Sequence, residues 1–316
     1  MGGGIGYSIF AATGLISLGS YNLIASIYTF LKTPTAAYSA KPYHPFAAAA
    51  SSSSSSTRTT IGSALKQQGG LYLVIAWLGI AIIHEGISAL DSDPLLKGHT
   101  PVHVFTSLRS SAVLLLFVLL VLSLLLLPSL DIRLFFSLLS ASLFLQSSAS
   151  SSSASLQTSL LQAHFSSVSS RLSAVSAGLA LSLAFNPRFF PAEVGLWGSI
   201  LLQGMWALQT GLSLYVDAFI PDGCHRLLDV ASGVDGSTKC DLEDSSLRAI
   251  AILDLLFVAY VLLVFLFLVT VYALAAKAVG AGASGGGGVY EALPTSDLTN
   301  NISQSIQMKT LTGTQA

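Results

Sequence analysis

An apolar run from about Gly195 to Val216 carries two glutamines, Gln203 and Gln209, together with Thr210 and Ser213. It is long enough to cross a bilayer, since about 20 apolar residues rising 1.5 Å each span the hydrocarbon. A helix facing only lipid would leave both amides desolvated and without partners. At about 100° per residue, Ser199, Gln203, Trp206, Gln209, Thr210 and Ser213 share one side, and Gly204, Leu208, Gly211 and Tyr215 another. The run therefore reads as the central helix of a membrane bundle. Its amides would bond neighbouring helices, and its glycine side would admit one of them closely. The competing reading has Gln203 and Gln209 lining a substrate or ion path.

The rest of the chain fits such a bundle. Hydrophobic residues make up 52% and charged residues 9%, with a mean hydropathy of +0.71. A soluble domain carries about 25% charge. The fold class expected is all-α, a polytopic transmembrane bundle, and 316 residues suit one bundle better than several domains. A net charge of −1 gives no basis for nucleic-acid binding. Membrane lipids and other proteins are the partners expected. Walker-type, Gly-x-Gly-x-x-Gly, Cys-x-x-Cys, Gly-x-Ser-x-Gly and HExxH patterns are absent. The start MGGGIG lacks both a myristoylation serine or threonine and the basic region of a cleavable leader, so the first apolar stretch is expected to remain as a span.

About seven spans are expected, near Gly6–Leu31, Gly70–Leu90, His103–Leu127, Ile132–Ala154, Phe165–Phe185, Gly195–Val216 and Arg248–Ala276. The fourth fades into serines, Ser147 to Ser155. Such a half-helix either packs inside the bundle, its hydroxyls bonded to carbonyls four residues back, or ends early. The loop 32–69, with three prolines and the run Ser51–Ser56, reads as low-complexity and disordered. Its Lys32, Lys41, Arg58 and Lys66 place it in the cytosol by the positive-inside rule, so the amino terminus is expected outside. Residues 1–276 would form the bundle and 277–316 a flexible cytosolic tail. Asn301-Ile-Ser is the usable glycosylation sequon, and a glycan there would reverse this topology.

The loop from about Asp217 to Ser246 holds both cysteines and an excess of acids, which suits the outside. There Cys224 and Cys240 would form a disulfide around a loop of about 15 residues, worth about 3 kcal/mol in the chain-entropy model. Two unrelated free thiols are the alternative.

Candidate chemistry lies in histidines and in buried charge. On this topology His84, His99, His103, His164 and His225 sit at the outer side. His84 and Glu85 end the second span, His99 and His103 flank the start of the third, and His164 precedes the fifth. Imidazoles with a carboxylate suit zinc or another transition metal, or a proton relay; two facing imidazoles would suit haem. The plainer reading makes each a cap or interfacial residue, with no cofactor required. Arg109, Arg171 and Asp254 sit about two turns inside their spans. Since buried ionisable groups in a membrane tend to pair, Asp254 is expected to meet Arg109 or Arg171.

The run LLQGMWALQTGLSLY, Leu201 to Tyr215, resembles the LQGxWxxQxGxxLY helix of the transmembrane protein 45 family. The likeness continues through Phe219-Ile-Pro-Asp-Gly-Cys224, Cys240 and Leu247-Arg-Ala249, similar to the IPxGC…C…RA run of plant members. Gly98-His99 through His103-Val-Phe105 resembles the family's histidine-bearing approach to its third span, and His164 its last histidine before the fifth. The resemblance covers most of the chain but is specific from about Leu201 to Tyr260. It implies an integral membrane fold and no reaction; the plant branch comprises viral-response proteins of unknown biochemistry. Two family features are missing: GHxxPG is replaced by Gly6-Tyr7-Ser8, and an HSTDH-like segment by Ser147–Ser155. The function expected is a non-catalytic membrane-organising or stress-response protein of the plasma membrane or endomembranes, acting through partners. A metal- or haem-dependent enzyme or a transporter is the alternative.

Overall fold

A computed structural model describes residues 3–34, 37–44, 61–88, 100–127, 129–157, 159–228, 235–240 and 242–284. Within them run seven long helices: α1 (Gly3–Lys32), α2 (Ile61–Ser88), α3 (Thr100–Leu126), α4 (Ile132–Leu156), α5 (Leu160–Phe185), α6 (Phe190–Tyr215) and α7 (Glu243–Ser284). A two-stranded antiparallel hairpin, β1 (Cys224–Leu228) and β2 (Asp235–Cys240), separates α6 from α7. The chain divides into two compact units, Met1–Ala276 and Lys277–Ala316. Helices α1 to α6, and α7 as far as Ala276, lie in the first.

Six helices, α1 to α5 and α7, are long and apolar enough to cross a membrane. This is a multi-pass membrane protein. The exception, α6, has 26 residues and the length to cross, but it carries Glu193, Gln203 and Gln209. Its polarity is tolerated because α1 and α5 pack along it and α7 covers part of the remainder. A helix wrapped in protein need not be apolar enough for lipid.

The glycine side of α6 faces α1. A Cβ on Gly204 would come within 2.8 Å of the Ile16 backbone nitrogen, and one on Gly211 within 2.5 Å of Ser8. From the other direction, a Cβ on Gly19 would meet the Leu201 backbone nitrogen at 2.6 Å. Backbone cannot yield as a side chain can, so small residues set this spacing. On the far side of α5 lies α4, then α3, which pairs with α2. One core cluster gathers Leu23, Ile27, Phe136, Leu183 and Leu196; a second gathers Leu161, Phe165, Trp206 and Leu253.

The serine-rich α4 is a complete helix. Ser142 and Ser152 bond carbonyls four residues back, while Ser140 donates to the Ala177 carbonyl of α5 at 2.8 Å. Ser147 and Ser170 approach at 3.2 Å across the same interface. Hydroxyls satisfied in this way can enter a membrane core, where free ones would be costly.

The expectation of a disordered 32–69 loop needs correction at both ends. α2 already begins at Ile61, and residues 37–44 pack onto the bundle as a strap. Tyr38, Ala40 and His44 are buried, and the Ala40 amide donates to the Pro187 carbonyl at 2.7 Å. The aromatic Tyr38 drives this docking: its ring sets an edge against both Phe30 and Phe190, which stack at 3.9 Å between centroids. Composition marked the loop as disordered, but a few large apolar residues suffice to anchor a segment. The expected flexible tail 277–316 is corrected at its start, because α7 continues to Ser284; residues 285–316 and 45–60 lie outside the described residues.

Candidate functional site

The strap closes over a carboxylate that lies just before the apolar run that begins near Gly195. Glu193 occupies the first turn of α6, two residues after Pro191, and is 1% exposed. A proline at a helix start leaves no amide unsatisfied, and an acid in the first turn complements the positive end of the helix. Ser26 of α1 donates to Oε1 of Glu193 at 2.8 Å, and the Tyr38 hydroxyl donates to Oε2. His44 Nε2 lies 3.7 Å from Oε1 and 3.4 Å from the Ser26 hydroxyl. The Tyr21 hydroxyl donates to the His44 carbonyl at 3.0 Å, fixing the end of the strap. Burial first, and then the carboxylate, push the Tyr38 hydroxyl above the usual tyrosine range, so it stays a donor.

Serine, histidine and glutamate in contact invite comparison with a nucleophilic triad, and the geometry argues against one. A triad needs the imidazole between the other two, one ring nitrogen to each. Here Ser26 gives its proton directly to the carboxylate, and the same Nε2 faces both partners. The hydroxyl is 0% exposed, so no substrate reaches it. The arrangement instead joins α1, the strap and α6. Beside it, Asn22 Oδ1 and Trp197 Nε1 are buried without a partner among the described residues.

The glutamines singled out by sequence bond neighbouring helices. Gln203 Nε2 donates to Ser173 of α5 at 2.5 Å. Gln209 accepts from the Tyr260 hydroxyl of α7 at 2.6 Å and donates to Ser213 at 2.8 Å. Trp206 Nε1 donates to the Phe165 carbonyl at 3.2 Å, so α6 is stitched to both neighbours.

The expected ion pair of Asp254 with an arginine is not formed. Asp254 Oδ1 lies 3.0 Å from His164 Nε2. Arg109 instead donates to Ser148 at 2.9 Å, and Arg171 is exposed on α5. Equal depth along the chain does not put residues on facing sides of their helices, and helical rotation decided the pairing.

Of the histidines expected to cluster, His84 and His164 have separate partners. His84 stacks flat on Tyr7, with ring centroids 3.7 Å apart, and the Tyr7 hydroxyl bonds Glu85. His164 sits with Asp254 between α5 and α7. His99 lies outside the described residues, and His103 falls on α3 where the description covers backbone alone. Among the described residues, no group of three metal-binding side chains converges. The disulfide Cys224–Cys240 joins the paired ends of the hairpin, which packs near α5 and α6. Gly223 before it takes φ +82°, a left-handed conformation that suits glycine.

A cavity of about 280 Å³ opens between α3, α4, α5 and α6 toward the hairpin end. Its polar lining includes Ser110, Gln146, Ser150, Gln162, Ser166 and Thr210, and among the described residues no charged side chain lines it. Such a space suits water or a small neutral polar molecule.

Sequence reasoning overlooked Glu193, Tyr38 and His44. The available signal was an acid directly ahead of an apolar run, where an unpaired carboxylate would be costly.

No curated protein matches the chain significantly. Residues 133–273, from the start of α4 into α7, match a family model described as a family of unknown function, DUF716, which includes transmembrane protein 45-like proteins.

Proposed function

We propose that this chain is a non-catalytic membrane bundle that acts through partners, in membrane organisation or in a stress or defence response. Its place is the plasma membrane or an endomembrane, with the amino terminus outside and the carboxyl terminus in the cytosol. The plant viral-response-like branch of the transmembrane protein 45 family is the nearer analogue, because LLQGMWALQTGLSLY and the cysteine run that follows carry the likeness.

One observation supports this reading most. Glu193, the fully buried carboxylate, is engaged by the hydroxyls of Ser26 and Tyr38, and at more exposed positions His164 lies against Asp254 and Arg109 donates to Ser148. Groups used as helix-to-helix ties are not poised for substrate. Partner contacts then fall to the loop 32–69 and the tail 277–316, within which residues 45–60 and 285–316 can be deleted without touching these ties.

The test uses the full chain purified in mild detergent. Its absorbance spectrum should lack a Soret band, and elemental analysis should find no stoichiometric transition metal. Deleting residues 45–60 and 285–316 should abolish cross-linking to partners in native membranes while the melting temperature holds. Near-stoichiometric zinc, copper or iron that disappears in H84A/H164A would instead favour a metal-dependent enzyme.

A further inference from the structure

At the strap end of the bundle a cleft of about 490 Å³ is bounded by the strap, the start of α4 and the α5–α6 turn. Two guanidinium groups line it, Arg133 of α4 and Arg188 of the turn, with Ser39 of the strap beside them. Both arginines are exposed, and neither has an ion-pair partner among the described residues. The nearest acid in sequence, Asp131, caps α4 by accepting from the Arg133 amide at 3.1 Å. Among the described residues no acid lines the cleft.

Two unpaired arginines around one concavity form a fork of donors for an anion with several oxygens, and guanidinium binds phosphate bidentately. The surroundings specify which anion. Phe185 lines the same cleft and is 78% exposed, and Phe189 is 47% exposed. Phe185 ends α5, which is long and apolar enough to span the bilayer, and Phe189 caps α6, so both exposed apolar rings stand at a span end beside the acyl chains. A ligand with a phosphate at one end and a hydrocarbon chain at the other would satisfy both features. Basic pockets between spans at the membrane face are where anionic headgroups are held.

We propose that the Arg133–Arg188 cleft binds the phosphate headgroup of an anionic membrane phospholipid. The strap forms one wall, so the Tyr38–Glu193 bond that seats the strap also shapes the site. This inference stands apart from the partner-based function, because a resident lipid would occupy the cleft with or without a protein partner.

The test measures lipid retention by native mass spectrometry on the full chain in mild detergent, titrated with phosphatidic acid or with phosphatidylcholine. Phosphatidic acid should be retained and phosphatidylcholine not. R133Q or R188Q should weaken retention about fivefold each and R133Q/R188Q about 30-fold. R171Q, which removes an exposed arginine outside the cleft, should change nothing. All variants must elute as single species with unchanged melting temperature, which surface arginines permit. Equal retention of both lipids, or full retention by R133Q/R188Q, would overturn the proposal. Inorganic phosphate should compete poorly; if it displaced the lipid at equal concentration, the site would read a free anion and the lipid assignment would fall.

Discussion

The hydroxyl of Ser26 on α1 donates to the buried carboxylate of Glu193 on α6 across 2.8 Å, and Tyr38 of the strap donates to the other oxygen. Two consecutive segments, α1 and the strap, thus share one acceptor group on the distant α6. Removing that group strands its donors, which costs more than the bonds themselves contribute.

Glu193→Ala should therefore destabilise the bundle by about 3 kcal/mol, and Glu193→Gln, which keeps one acceptor oxygen, by about half as much. The strap should loosen first. A cysteine introduced by Ala40→Cys, at a position 1% exposed, should react slowly with maleimide in the parent chain. With Glu193→Ala the rate should rise about tenfold or more. An unchanged rate would mean that the carboxylate does not hold the strap.

Alkali should act on the same link. The Tyr38 hydroxyl is held above its usual value of 10.0 by burial and by Glu193. The unfolded chain therefore loses that proton at a lower pH than the folded one. Stability is complete below about pH 10 and falls as pH rises beyond it. Tyr38→Phe should flatten part of this decline in thermal unfolding curves measured from pH 8 to 11. If its curve matches that of the parent chain, Tyr38 makes no contribution.

Substitution of the glycines should depend on their neighbours. Gly19→Ala and Gly204→Ala push a methyl group toward backbone of the facing helix and should each cost about 1–3 kcal/mol. Gly79→Ala on α2 meets open space and should be neutral or stabilising, by up to about 1 kcal/mol from helix propensity. Melting temperatures of the three variants decide the matter, and equal losses would contradict the close α1–α6 contact.

The tie from α6 to α7 is open to a mutant cycle. Tyr260→Phe removes the donor to Gln209 and should cost about 1 kcal/mol. Gln209→Leu should make the second change nearly silent, giving a coupling energy of similar size. Strict additivity would show that the two side chains do not interact.

Topology can be tested by glycosylation mapping. With the amino terminus outside, a sequon inserted in the Cys224–Cys240 hairpin should acquire a glycan, while Asn301-Ile-Ser should not. Reduction should slow the refolded fraction on native gels and lower stability by about 3 kcal/mol. A glycan on Asn301 would invert the orientation.

The sequence by itself determined the helices, because apolar runs of bilayer length leave the backbone few other solutions. It also marked α6 as interior, since Gln203 and Gln209 need partners that lipid lacks, and its glycine side as the place for a close neighbour. The disulfide was legible from two cysteines in one acidic loop. Pairing across helices was not. Asp254 sits beside His164 rather than an arginine because rotation about each helix axis, set by the packing of α5 and α7, selects which side chains meet. The strap was hidden for a related reason: it lies in a loop whose prolines and serine run resemble disorder, and its stability comes from Phe30, Phe190, Ser26 and Glu193, which other parts of the chain supply. Local pattern fixes which segments must leave water. Only the tertiary structure decides which buried polar groups satisfy one another, because those bonds join residues that no periodicity relates.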